Sequence, residues 1–396
     1  MYLNCWSMKS FFVRLGLMLP VLALMPMAAT AQDKAMDEMA GEASTIECLS
    51  LHYQTVSQAV AEATKNARAA PGFRGMFVGV IDAGHEQSFY YGKTINNQTV
   101  GAKSIFEIGS ISKTFTATLL ALLDSRHQIH VSDGSASTAP ETKLADVLGQ
   151  STSCVLPAAR QPITLAELAD HHSGLPRKPP DVTHTVNDLW HDLCGSAAAD
   201  TPRAQYLYSN YAFSVLGHVL APIYGTTTWR EANRKAILEP LKMNDTMPWE
   251  SLTANQQQSL QGYTRSESFP VANPAGGLYS TPDDMMKFLA FNMADPPSAC
   301  HLGDAACELR MLLPLLRLAR AKGAHGNGSV GLAWQINPAS KCSQTNVLWK
   351  DGAVTGFHSY IGYEPATKRG VIVLMNYNFQ GDSPGKIGNT ILTSMP

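Results

Sequence analysis

The sequence lacks a cationic excess. Its 30 Lys and Arg stand against 32 Asp and Glu, which leaves no electrostatic footprint for nucleic acid. Beyond residue 31, no apolar run approaches the roughly 20 residues that a membrane-spanning helix requires, so no stable span is expected in the exported chain. C-x-x-C pairs are absent and no His lies at a trusted ligand spacing from a cysteine, which argues against structural zinc. His171 and His172 are adjacent, so in a regular element they do not converge on one ion; a loop role is expected. Neither metal nor cofactor is implied. A G-x-S-x-G elbow is missing too, which removes the α/β-hydrolase route to a serine nucleophile. Gly326 to Gly331 fits G-x-G-x-x-G, but Val330-Gly331-Leu332-Ala333-Trp334 reads as a strand where dinucleotide binding needs a helix. Repeats of solenoid period are absent as well.

At the start of the sequence, Lys9 and Arg14 precede an apolar run from Leu15 to Ala29 that closes with Ala29-Thr30-Ala31. This is the pattern of a secretory signal peptide over residues 1–31, interrupted by Pro20 and Pro26, with cleavage expected after Ala31 and a periplasmic or secreted product. Residues 32–47 read as a flexible segment and 48–396 as the catalytic domain. Of seven cysteines, Cys5 falls in the signal; Cys48, Cys154, Cys194, Cys300, Cys307 and Cys342 meet an oxidising compartment, which favours disulfides. Spacing leaves their connectivity open, although Cys300 and Cys307 bracket a short Gly- and Asp-containing loop and form the favoured local pair.

Residues 48–69 read as a helix with Leu49, Val56, Val60 and Ala63 on one side. Then the period changes: Arg74–Ile81 and Glu86–Tyr91 are β-rich runs joined by Asp82-Ala83-Gly84, a hairpin signal. From Ser110 to Leu123 the pattern is helical and apolar almost all round, as in a helix buried within a fold. Helical stretches at 164–170, 210–223, 229–238, 282–293 and 308–321 follow. Strands return at Val330–Ile336, Asn346–Trp349, His358–Tyr363 and Gly370–Asn376, with a closing helix from Lys386. The expected fold is mixed α/β (α+β): an antiparallel sheet assembled from both chain ends, about 48–125 and 325–396, with a mostly helical insertion over about 126–324 and the cleft between them.

Three short motifs carry chemistry. Ser110 and Lys113 are three apart at the start of the apolar helix, so the lysine can reach the hydroxyl; a lysine whose pKa is lowered by burial can take its proton. A serine in this position is ordinarily a helix N-cap, but that reading does not explain a lysine carried into a core. The same spacing at Ser383-Pro384-Gly385-Lys386 reads only as a turn. Tyr208-Ser209-Asn210 opens a second apolar helix, with a phenol that can shuttle a proton and a carboxamide that can hold an amide substrate. Lys350-Asp351-Gly352 lies in a strand; Lys350 supplies positive charge, Gly352 permits close approach, and the N–H of Ala353 can pair with that of Ser110 in an oxyanion hole.

Taken in order, Ser110-x-x-Lys113, Tyr208-x-Asn210 and Lys350-x-Gly352 resemble the three motifs of the class C β-lactamase and penicillin-binding DD-peptidase superfamily of serine hydrolases, and the tyrosine in the second motif resembles the class C branch. Phe106-Glu107-Ile108-Gly109, His172-Ser173-Gly174-Leu175-Pro176, Glu239 to Thr246 and Gly276 to Pro282 resemble family phrases, so the likeness covers nearly all of the chain after residue 31. The resemblance implies a Ser110 acyl-enzyme, protons managed by Lys113 and Tyr208, a substrate amide held by Asn210, and a substrate carboxylate met by Lys350. It also implies a small-molecule or peptidoglycan-peptide substrate, of the β-lactam or D-Ala-D-Ala type; it says nothing of oligomeric state. One departure stands out. The family carries Thr or Ser between the Lys and the Gly, and this chain carries Asp351, an acid that should repel an anionic substrate group unless Lys350 neutralises it. That keeps a carboxylesterase, or a slowly deacylating penicillin sensor, among the expected functions. The class A deacylation motif E-x-x-L-N is absent.

Overall fold

A computed structural model describes residues 53–134, 139–179, 184–197, 200–260, 270–324, 327–340, 343, 345–377 and 381–395. The expected signal peptide, the 32–47 segment, Cys48 and Cys342 lie outside the described residues.

An eight-stranded antiparallel sheet forms the centre, from β1 (Gly75–Asp82), β2 (His85–Gly92), β6 (Ala321–Lys322), β7 (Ser329–Val330), β8 (Gln335–Asn337), β9 (Val347–Val354), β10 (Phe357–Glu364) and β11 (Arg369–Met375). Its order is β2-β1-β11-β10-β9-β8-β7-β6, so the two ends of the chain meet where β1 pairs with β11. The expected hairpin joins β1 to β2, and Ala83 and Gly84 both take positive φ at its turn. A second, three-stranded sheet places β3 (Phe106–Glu107) next to β5 (Leu278–Ser280), which pairs in turn with β4 (Met247–Pro248); sequence patterning does not reveal these two- and three-residue strands.

Helices cover both faces of the centre of the large sheet, so β1, β10 and β11 are buried almost throughout, whereas the edge strand β2 alternates between exposed and half-buried residues. Along β11, Val371, Val373 and Met375 pack with helices α1 (Val56–Ala63) and α5 (Pro384–Ser394), whereas Ile372 and Leu374 belong to the larger core on the other side. That larger core is built around α2 (Ser112–Ser125), α3 (Asn210–Tyr224) and α4 (Pro282–Met293). Phe115 of α2 stacks on Phe288 of α4 with ring centroids 4.0 Å apart.

Several expected elements are shorter than the pattern implied. The 48–69 helix, where described, runs over Val56–Ala63 and resumes at Lys65–Ala69, because the Thr64 hydroxyl bonds back to Val60 O at 2.8 Å and breaks the run. The 308–321 helix is two short pieces, Ala305–Met311 and Leu313–Leu316, divided before Pro314, and Ala321 is already in β6. Trp229–Leu238 ends in a π-turn over Arg234–Leu238. Val330–Ile336 is not one strand: Ala333, at φ 66°, turns the chain between β7 and β8. Disulfides join Cys300 to Cys307, as favoured, and Cys154 to Cys194. Among the described residues, no helix is long and apolar enough to cross a membrane.

Candidate active site

Ser110 sits in a single 3₁₀ turn, Gly109–Ile111, between β3 and α2. It does not cap α2: the cap position is Ile111 and makes no side-chain cap bond. At Ser383 the same S-x-x-K spacing does form an N-cap, its Oγ accepting from Lys386 N at 3.1 Å. Gly109 takes φ 51°, and a Cβ there would come within 3.0 Å of Ala353 N. Only glycine therefore lets the serine turn lie flat on the edge of β9. Gly352 is constrained from the opposite side, where a Cβ would overlap Ile108 O at 2.1 Å, and Ser359 Oγ pins that same carbonyl at 2.9 Å.

The Ser110 hydroxyl, 5% exposed, meets two groups. Lys113 Nζ lies 3.0 Å from Oγ, and the Tyr208 hydroxyl donates to it at 2.5 Å. Lys113 is fully buried, and its ammonium is further bonded to Asn210 Oδ1 at 2.7 Å and Ala275 O at 2.5 Å. Burial, with Lys350 and Arg177 as nearby cations, holds Lys113 well below the usual lysine range, against a smaller opposing pull from Asp351. Three basic side chains surround the Tyr208 ring: Lys113 Nζ at 4.8 Å, Arg177 Cζ at 5.1 Å and Lys350 Nζ at 5.4 Å from its centroid. That arrangement stabilises negative charge developing on the phenol oxygen.

Tyr208 and Asn210 are carried by the entry to α3. Ser209 caps that helix, accepting from Ala212 N at 2.9 Å and donating to Pro176 O at 2.7 Å, while Asn210 N donates to Arg177 O at 2.8 Å. Because Asn210 Oδ1 is taken by Lys113, its NH₂ is the group left to face a substrate carbonyl.

β8 pairs with β9 only over Val347–Trp349, so Lys350–Val354 line the edge of β9 next to Ser110. There Lys350 Nζ donates to Asp351 Oδ1 at 2.6 Å and to Asp351 O at 3.0 Å, and the two side chains are 3% and 10% exposed. The expected site residues Ser110, Lys113, Tyr208, Asn210, Lys350, Asp351, Gly352 and Ala353 thus come together where the Ser110 turn and the entry to α3 meet the edge of β9.

One residue of this neighbourhood escaped the sequence reading. His171, set aside there as a loop residue, is buried with its ring 4.5 Å from that of Tyr208, and its Nδ1 accepts from Ser209 N at 3.1 Å. Its carbonyl accepts from Leu207 N at 2.9 Å, and its φ is 67°. Burial first, then Lys113 and Lys350, push its pKa well below 6.5, so the ring is neutral with the proton on Nε2, which has no hydrogen-bond partner among the described residues. The available signal was its place directly before His172-Ser173-Gly174-Leu175-Pro176. His172 points elsewhere, to Asp170, through Nδ1 at 3.2 Å. No group of three or more metal-ligating side chains occurs among the described residues.

A family model described as Beta-lactamase matches residues 59–391. A beta-lactamase of Escherichia coli (strain K12) is 26% identical over 338 residues, which cover 77% of this chain and 84% of that protein. The D-alanyl-D-alanine-carboxypeptidase/endopeptidase AmpH of the same organism is 26% identical over 326 residues, covering 77% and 80%. In fold, a class C beta-lactamase from Rhodobacter sphaeroides superposes with a TM-score of 0.69 over 85% of this chain and 99% of its own, at 22% identity.

Proposed function

The chain belongs to the beta-lactamase family, and from that premise we propose that it is a periplasmic serine hydrolase that opens a lactam or peptide carbonyl through a Ser110 acyl-enzyme. The observation that carries this reading is the contact of one buried hydroxyl with both Lys113 and Tyr208. With Lys113 neutral, two N–H bonds go to Asn210 Oδ1 and Ala275 O, and its lone pair faces the Ser110 proton. Ser110 Oγ then attacks the carbonyl carbon as its proton leaves to Lys113. The N–H groups of Ser110 and Ala353 receive the oxyanion, and Tyr208 protonates the leaving nitrogen as the C–N bond breaks. Water then splits the Ser110 ester, its oxygen joining the acyl carbon as one proton returns to the Tyr208 oxygen and Ser110 regains its own from Lys113. The proposed substrates are β-lactams and D-Ala-D-Ala-type peptides of the cell wall; export is supported by the signal-like residues 1–31.

A second reading, a carboxylesterase on the same scaffold, is favoured by the Lys350–Asp351 pair, which leaves the usual lysine charge already compensated. A pulse of fluorescent penicillin followed by a chase separates the classes. Label that appears and fades marks a β-lactamase, label that persists marks a DD-peptidase or sensor, and no label marks the esterase.

A further inference from the structure

We propose that the Lys350–Asp351 pair makes the leaving-side subsite of this cleft electrically self-neutral, so that acyl donors with a neutral group there are accepted at least as readily as the same donors with a carboxylate. The proposal rests on the acyl-enzyme reading and adds a substrate class to it: neutral esters, amides and C-terminally amidated peptides.

Three observations support it. Neighbouring residues of a strand ordinarily project to opposite faces, yet Lys350 Nζ closes on the Asp351 carboxylate at 2.6 Å and on its carbonyl at 3.0 Å, so two of its three donors are spent within the pair. Both residues are nearly buried, at 3% and 7% exposure, so solvent screens little of that attraction and an incoming anion competes with a carboxylate already in contact. Two opposite charges this close act as a dipole, whose field on a third charge falls off faster than that of a lone ammonium. Lys113 does not replace it: it is held well below the lysine range by burial and is bonded inward to Ser110, Asn210 and Ala275. Asp351 Oδ1 is occupied by Lys350, while the second carboxylate oxygen remains an acceptor that suits an amide or hydroxyl donor better than an anion.

The test uses two depsipeptides with the same acyl group, one releasing 3-hydroxybenzoate and the other 3-hydroxybenzamide, so that they differ only in a carboxylate on the leaving side. The expected kcat/KM ratio, carboxylate over amide, is at or below unity for the wild type. It should rise about tenfold in both Asp351→Thr and Asp351→Asn, as for removal of one like charge at about 6 Å. A wild-type preference for the carboxylate of about tenfold or more, or a ratio unchanged in both variants, overturns the proposal. Labelling of Ser110 by a neutral fluorophosphonate is followed in parallel. If Ser110 labels and the ratio fails, the subsite proposal alone is wrong; if Ser110 does not label, the acyl-enzyme reading falls and the proposal with it.

Discussion

At Lys113, burial and chemistry pull in one direction. A lysine with no solvent contact is stable only when its partners are in place or its charge is lost, and here Ser110, Asn210 and Ala275 hold it while Lys350 and Arg177 disfavour its protonated form. Lys113→Ala is therefore expected to lower kcat/KM by about 10²–10⁴-fold, at least as much as Tyr208→Phe; steady-state kinetics with one chromogenic substrate checks this, and an active Lys113→Ala enzyme would mean that the proton leaves Ser110 by another route. The adjacent histidines give opposite pH signatures. His171 is depressed below 6.5 by burial, so the folded state binds fewer protons than the unfolded chain, and stability is lost as pH falls from 6.5. His172 is raised by its bond to Asp170, so its contribution is fully present below 6.5 and is lost as pH rises through its folded value. Urea unfolding at about pH 5, 6.5 and 8 should show the alkaline loss vanish in His172→Asn while the acid loss remains. Ser110 and Lys113 were legible in the sequence because three residues on a helix are neighbours. The sequence names neutralisation of Asp351 by Lys350 only as a condition, because neighbouring residues of a strand ordinarily project to opposite faces.

Among elements, the 3₁₀ turn that carries Ser110 and the β9 edge are mutually constrained through glycine. Gly109→Ala forces a Cβ to 3.0 Å from Ala353 N in a left-handed backbone, a strain on the order of 1–3 kcal/mol. Expected outcomes are a modest fall in Tm and a loss of acylation rate of at least about tenfold, since either the turn or the oxyanion donors must shift; a stopped-flow acylation trace with unchanged rate would contradict this. The long elements were legible from their periodicity: the β1–β2 hairpin, α2, α3, β10 and β11 all fall within a few residues of where the pattern put them, whereas β9 continues past the expected Trp349 to Val354. Elements that failed did so for local reasons that periodicity does not register. A Thr64 hydroxyl ends one helix, Pro314 divides another, and the small β3–β5–β4 sheet is held by register with distant segments rather than by its own pattern.

For the molecule as a whole, the sheet drawn from both chain ends closes through β1 and β11 and presents the edge of β9, while the 3₁₀ turn before α2, the first turn of α2 and the entry to α3 bring Ser110, Lys113, Tyr208 and Asn210 together beside it. We propose that residues 48–396 act as one catalytic unit, with the insertion spanning about 126–324. The Cys154–Cys194 disulfide ties that insertion across 40 residues, and its double serine replacement should destabilise the protein by about 4 kcal/mol without changing the order of substrate preference; calorimetry alongside kinetics reads both. The family and the three motifs were legible at this scale because their order survives any spacing, whereas the pairing of charges inside the cleft was visible only in the fold. The central claim is the covalent intermediate on Ser110. Intact-protein mass spectrometry after a brief exposure to penicillin or to a fluorophosphonate, followed by peptide mapping, tests it most directly. A single adduct is expected on the peptide that contains Ser110, absent in a folded Ser110→Ala variant. An adduct on another residue, or one that persists in Ser110→Ala, would contradict it.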